Sequence, residues 1–426
     1  MKIVYISYYY PPCNHIAGQR SSKIISTLRQ LGHEVKVIAS LEQGGEYVYM
    51  DNYVHHKDDI YFNHNDLKSS THHKFKLQLS SLKFYLMNIL LNSAFLIWLA
   101  SFFFKIRMLG GDVANWDSKT LLPQILKKLE GYNPDLIIST SGPIENHIIA
   151  KSLKLYLSIP WVAEYRDPWS FNPMSPFHAK DNFLNKILRY KEGKIIKYTD
   201  LVFGASNFIC SYYSKEFALK TELLYGGWQE KDPNNLKHYL VKKVDGKINI
   251  LHLGSSLKGR RSIDWILGIL QRNGNIRNRF NFYFIGRDTD FYQRKLKGFN
   301  KVENNIYLYN EISDDLARVE GAASDFLLLL MMDNIGERYT VTGKIFEYIY
   351  LQKPIICLDK HQSEASKIIS EYKMGHVFES ESSFENFLEN FNSVEKCNVI
   401  SNDDKAKFEI SNILSSALNK VNLYSK

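Results

Sequence analysis

The chain is poor in the features that mark several large function classes. It holds four cysteines in 426 residues, Cys13, Cys210, Cys357 and Cys397. None forms a CxxC or a ligand cluster, which speaks against a structural zinc site and a disulfide framework. No GxxxxGK[ST] is present and no GxGxxG follows the first strand, so ATPase and ordinary dinucleotide readings lose support. No long Lys/Arg tract with interleaved aromatics singles out nucleic acid. The opening MKIVYISYY lacks the long apolar core and small-residue cleavage site of a secretory signal, so cytoplasmic residence is expected.

Charge and size set the next bounds. The 54 basic and 45 acidic side chains leave a formal charge of +9, an excess that suits an anionic small molecule, an anionic membrane surface or a nucleic acid. Apolar content of 45% indicates a globular protein, and 426 residues are too many for one ordinary core. Two domains are expected, over 1–228 and 246–401, joined by a polar linker at 229–245. A final helix near 403–419, within a segment 402–426, is expected to pack back toward the first domain.

One segment complicates this plan. From Phe84 to Phe104 run 21 uncharged residues, flanked by Lys83, Lys105 and Arg107. That length could span a bilayer, but Asn88, Asn92, Ser93 and Ser101 interrupt it. A single span would also part the preceding 83 residues from the rest of their domain. The alternatives are a helix lying on a membrane, a buried helix or one used in oligomerisation, and a true span. Upstream, His55, His56, His64, His72 and His73 are spaced irregularly, as in a basic loop and not a metal site.

Elsewhere strand, loop, helix and strand alternate. KIVYIS, a loop with Gly18, a helix from Gln19 to Leu31, a Gly32 stop and VKVIAS form a βαβ pattern, which recurs through DLIIST, WVAEYR and DLVFGAS. A second series begins at INILHLG and continues through FNFYFIG, DFLLLLMM and PIICL. The strands are short apolar runs, as sheets covered on both faces require. The fold class expected is α/β, two Rossmann-like doubly wound domains facing a central cleft.

In such sheets ligands bind at the C-terminal strand ends, and several groups would sit there. Gly18 permits close backbone approach or is a plain turn residue, with Arg20 just inside the helix. Ser139–Pro143 opens a helix carrying His147, either a sugar-hydroxyl or proton-transfer partner or an ordinary surface histidine. Arg166 and Asp167 follow a strand; Asp167 could accept from sugar hydroxyls or steady a cationic centre, or the pair only organises a loop. Gly254 and Ser255 leave the first strand of the second series ahead of Arg260 and Arg261, whose guanidinium forks match phosphate oxygens. Arg287 ends the next strand and could border a nucleotide. Thr342 then precedes a helix start that places Lys344 and Glu347 one turn apart, an ammonium for a diphosphate and an acceptor for ribose hydroxyls.

Taken in order, YYYPPCNHIAGQR, ISTSGP with IPWVAEYRDPW, LHLGSSLKGRRS and TGKIFEYIYLQKPII resemble the retaining nucleotide-sugar glycosyltransferases of family 4, which have the GT-B fold. The resemblance covers nearly the whole chain and is strongest to the bacterial subgroup that builds capsule, O-antigen and other surface polysaccharides. It implies an acceptor-side first domain and a second domain that binds the nucleotide sugar. Arg260 or Arg261 with Lys344 would grip the donor diphosphate, Glu347 the ribose, and Gly18 would approach the phosphates. The family's further glutamate, eight positions before the ribose-binding one, is here Tyr339, with Glu337 two residues off. Arg166–Asp167 stands where many members carry a catalytic-site histidine, which places catalysis on Asp167. The resemblance further implies transfer with retention to a glycan or polyprenyl-linked acceptor, no tightly bound cofactor, no metal, no nucleic acid, and residence at the inner face of the bacterial membrane. The alternatives are another nucleotide-sugar enzyme such as an epimerase or a phosphorylase, and a non-catalytic binding protein.

Overall fold

The computed structural model describes residues 1–12, 16–41, 56–62, 116, 118–171, 183–230, 237, 239–242, 246–394 and 397–424. The hydrophobic run 84–104, Cys13, and His55, His64, His72 and His73 lie outside them. Among the described residues no helix is long and apolar enough to cross a membrane. The chain divides into two compact units, Met1–Tyr225 with Ile410–Lys426, and Gly226–Glu409.

The first unit contains β1 (Lys2–Ile6), α1 (Ile16–Gln30), β2 (Glu34–Ser40), β3 (Ile60–Phe62), α2 (Ser118–Lys128), β4 (Leu136–Thr140), α3 (Glu145–Leu157), β5 (Trp161–Tyr165), α4 (Phe183–Ile196), β6 (Leu201–Gly204), α5 (Asn207–Phe217) and β7 (Thr221–Leu223). These strands form one parallel sheet in the order β3-β2-β1-β4-β5-β6-β7.

The second unit contains β8 (Ile248–Leu253), α6 (Asp264–Arg272), α7 (Gly274–Arg279), β9 (Phe280–Ile285), α8 (Asp290–Leu296), β10 (Ile306–Tyr309), α9 (Asp314–Ala323), β11 (Phe326–Leu330), a 3-10 turn at Ile335–Tyr339, α10 (Lys344–Leu351), β12 (Ile355–Leu358), α11 (Glu364–Glu371), β13 (Gly375–Phe378), α12 (Glu381–Asn390) and α13 (Asn402–Ala406). Its parallel sheet runs β10-β9-β8-β11-β12-β13.

Both orders share one consequence. The chain winds outward from β1 or β8 in one direction and then resumes on that strand's other side, at β4 or β11. The crossovers diverge at that point, and a crevice opens beyond the carboxyl ends of the two strands. Each sheet therefore presents one such place, at the β1/β4 and β8/β11 exits. Central strands are buried along their length (FLLLL of β11 entirely) because helices cover both faces.

Two stretches differ from expectation. The last helix is broken: Trp228 donates its backbone N–H to the Phe408 carbonyl (2.9 Å) and its indole N–H to the Lys405 carbonyl (2.9 Å). The chain ends α13 there and restarts as α14 (Ile410–Tyr424), which lies against α1 and buries Ile410, Leu414, Ala417 and Leu418 in the first unit's core. The stretch expected as linker is gripped by the second unit, since the Glu320 carboxylate accepts the N–H groups of Tyr239, Leu240 and Val241 at 2.7, 3.0 and 2.8 Å.

Candidate functional site

The β8 exit of the second unit is assembled around a buried ammonium group. Gly254 has φ +113°, and a Cβ there would lie 2.4 Å from Lys344 Cε. A Cβ on Gly286, at the end of β9, would fall 2.3 Å from the Gly254 carbonyl oxygen. Two glycines thus let neighbouring strand exits close up and let Lys344 lie along the chain. Lys344 Nζ is 3.2 Å from His252 Nε2, and His252 Nδ1 donates to the Leu328 carbonyl at 2.9 Å. A carbonyl accepts only from a protonated Nδ1, which leaves Nε2 as the acceptor for Lys344.

Burial, with Lys344 and Arg261 nearby, holds His252 well below its usual pKa, so the imidazole is neutral. Burial, with Arg261 next in importance, also pushes the Lys344 ammonium well below its ordinary range, while Glu337 opposes the shift. The residue keeps some exposed surface, but its ammonium end lies against Gly254 and the His252 ring, where burial is the largest influence on it.

Arg261 is 8% exposed. Its Nη1 donates to the Ser255 carbonyl (3.2 Å), whereas Nε meets no acceptor among the described residues. Glu337, in the 3-10 turn after β11, is fully buried and neither carboxylate oxygen has a partner in hydrogen-bond geometry there; the Met332 backbone approaches without achieving it. Burial raises the Glu337 carboxyl, and Arg261 is the main opposing charge. Two cations and a dry carboxylate therefore converge with donor and acceptor capacity unspent, an arrangement costly to stability and common where ligands bind. Helix α10 begins beside them at Gly343 without a side-chain cap, and the buried Thr342 precedes it.

Glu347 lies one turn along α10. Arg318 of α9 donates to its Oε2 through Nε at 2.8 Å, and its Nη2 is 2.7 Å from the same oxygen. Arg318 also donates to the Gln229 carbonyl (3.1 Å) and lies 4.3 Å over the Tyr350 ring. Glu347 is thereby oriented while its side chain stays 34% exposed.

Other expected donor residues fall differently. Ser255 donates to Asp288 (2.9 Å) and braces the loop after β9. Arg260 is exposed, and Arg287 pairs with Glu311 at 2.9 Å. Of the two candidate arginines, it is Arg261 that joins Lys344.

In the first unit, Gly18 is buried inside α1, not in the preceding loop. Arg20 is spent within the unit, donating to Glu164 (2.7 Å) and the Leu224 carbonyl (2.8 Å). Thr140 donates to the other Glu164 oxygen. His147 is neither a surface residue nor accessible: it is fully buried, 2.7 Å from Ser139 Oγ, with its ring 4.7 Å from that of Tyr165. Burial lowers its pKa to about 3, so it stays neutral throughout the physiological range. Asp167 is 54% exposed and accepts from Arg166 Nε at 2.9 Å, while Ser141 Oγ donates to the Asp167 carbonyl (3.1 Å). The β4 and β5 exits are thus tied together. His252, Arg318 and the inward orientation of Glu337 were not anticipated; the His252 position carried a signal, as a lone ionisable residue inside an apolar strand.

No protein-family model matches the chain, and no curated protein matches it in sequence. Solved structures do match in fold. Sucrose-phosphate synthase from Thermosynechococcus elongatus superposes with a TM-score of 0.63 at 11% identity, over 100% of this chain and 99% of that one. Anabaena HepE in complex with UDP-glucose gives 0.56 at 13%, over 99% and 100%. The lipopolysaccharide outer core galactosyltransferase WaaB in its apo form gives 0.56 at 14%, over 99% of each. The two Rossmann-like α/β domains of the GT-B fold are thereby shown.

The enclosed ammonium has a stability signature. The folded-state pKa of Lys344 lies below the ordinary 10.5, so between the two values the unfolded chain holds more protons and stability rises with pH. Lys344→Met should be more stable than the natural protein in urea denaturation at neutral pH, with the advantage fading as pH climbs toward 10.5. A variant that is less stable across the whole range would contradict this.

Proposed function

We propose that the protein is a retaining glycosyltransferase that moves a sugar from a nucleoside diphosphate to a glycan or polyprenyl-linked acceptor in surface-polysaccharide synthesis. The observation that carries this reading is the enclosed pair Lys344 and Arg261, the latter with an unspent Nε, at the β8 exit. Two fixed cations in a dehydrated recess suit a diphosphate far better than a neutral ligand. Glu347, held by Arg318, suits a ribose diol. The binding of UDP-glucose by HepE, which shares the fold, supports this donor class.

In this mechanism the sugar C1–oxygen bond breaks and its electron pair leaves on the β-phosphate. Lys344 and Arg261 stabilise that developing charge without reorganising. The acceptor oxygen bonds C1 on the same face, and its proton passes to the departing phosphate. Glu337 offers a dry acceptor for a hydroxyl of the transferred sugar, in place of the glutamate expected where Tyr339 stands. Asp167 serves the acceptor side. Membrane-surface work is supported by the uncharged run 84–104 with its flanking Lys83, Lys105 and Arg107.

Titration calorimetry with UDP tests the donor assignment. Lys344→Ala and Glu347→Ala should each weaken binding by roughly 1.5–3 kcal/mol, the worth of a charged hydrogen bond. Unchanged affinity in both folded variants would refute the assignment. For the membrane, cell fractionation should find the natural protein in the membrane pellet and a variant with polar substitutions across 84–104 in the supernatant. A natural protein that never pellets would end that part of the proposal.

A further inference from the structure

A second charged recess lies beside the first, on the other side of the 3-10 turn. A cavity of about 280 Å³ is lined by Arg338, Lys360, His361 and Gln362. This is near the lower limit of pockets that take a whole drug-sized ligand (about 300–1,000 Å³), and of a size for one ring or substituent. Lys360 and His361 follow β12 in a tight turn built on Asp359, whose buried carboxylate accepts the N–H groups of His361 (2.9 Å) and Ser363 (2.7 Å). Lys360 Nζ and His361 Nε2 share one carboxylate, Asp333, at 2.6 and 3.1 Å. Gln362 is held by Glu379 at 2.9 Å. Arg338 is exposed and makes no hydrogen bond or ion pair among the described residues. The cavity thus gathers three cation-capable side chains, of which Lys360 and His361 share Asp333 while Arg338 carries its charge uncompensated among the described residues.

Its position says which part of a ligand would enter it. Glu337 and Arg338 are consecutive in the turn Ile335–Tyr339. The first is buried and bears on Arg261 and Lys344, while the second lines the cavity. Asp359, which precedes Lys360, also bears electrostatically on Glu337. In a nucleotide sugar the diphosphate is flanked by the ribose, given above to Glu347, and by the transferred sugar, which leaves the sugar for this side. We propose that the Arg338–Lys360–His361 recess recognises a carboxylate on the donor's sugar, so that the transferred residue is a hexuronic acid. This rests on the diphosphate assignment above. A guanidinium fork matches a carboxylate in two parallel hydrogen bonds, and Lys360 adds a point charge.

Calorimetry on the full chain with UDP, UDP-glucose and UDP-glucuronate separates the two ideas. UDP-glucuronate should bind the natural protein about tenfold tighter than UDP-glucose, the worth of one charged contact. Arg338→Gln combined with Lys360→Gln should bring the two sugars to within about twofold while leaving UDP affinity unchanged. Arg338→Lys, which keeps the charge, should retain part of the preference. Equal binding of the two sugars by the natural protein, or a preference that survives the double substitution, overturns the proposal. If UDP binds normally with no acid preference, this inference alone fails. If UDP does not bind, the diphosphate assignment fails and takes this one with it.

Discussion

The second unit is organised around one unfavourable act, the enclosure of the Lys344 ammonium beside Arg261. Taking a charge out of water costs several kcal/mol even after relaxation, and a second cation adds repulsion. The fold offsets this with a neutral imidazole at 3.2 Å and the carboxylate of Glu337. Under the proposed function an anion completes the set, where preorganised charge acts most strongly because water is excluded. Everything nearby serves that arrangement. Gly254 and Gly286 remove the Cβ atoms that would block it, and Leu328 fixes the imidazole tautomer.

The sheet order explains why this happens at β8 and not elsewhere. The winding reverses between β8 and β11, so the strand exits there are not roofed by a crossover. Arg261 arrives from the loop after β8, Glu337 from the turn after β11, and Lys344 and Glu347 from α10, which leads on to β12. Arg318 reaches Glu347 from the helix before β11. The first unit repeats the winding but uses its ionisable groups differently. Arg20 and Glu164 form a strut between α1 and β5, and His147 packs against Tyr165 in the core.

Much of this was legible in the chain. Doubly covered parallel strands are short apolar runs, and β1, β2, β4, β8, β9, β11 and β12 all read that way. Lys344 and Glu347 were visible because a helix start with an i,i+3 charge pair is local information. Orientation was not. A histidine such as His147 has no sequence mark that separates core from surface, and choosing between Arg260 and Arg261 needs the turn that buries only the second. Helices α4 and α5 leave only a weak periodic signal in the sequence, because tyrosines and lysines interrupt their apolar residues. The break between α13 and α14 depends on Trp228, over 170 residues upstream in sequence. Glu337 lies two positions from the glutamate that the resemblance implies, and the register alone leaves its role open; the 3-10 turn, with its shorter period, carries it inward.

The most direct test is a crystal structure of the protein with UDP bound. Diphosphate oxygens should lie within about 2.7–3.2 Å of Lys344 Nζ and Arg261 Nε, with the ribose hydroxyls on Glu347. A diphosphate seated elsewhere, or an empty β8 exit at saturating UDP, would contradict the role given to the enclosed lysine.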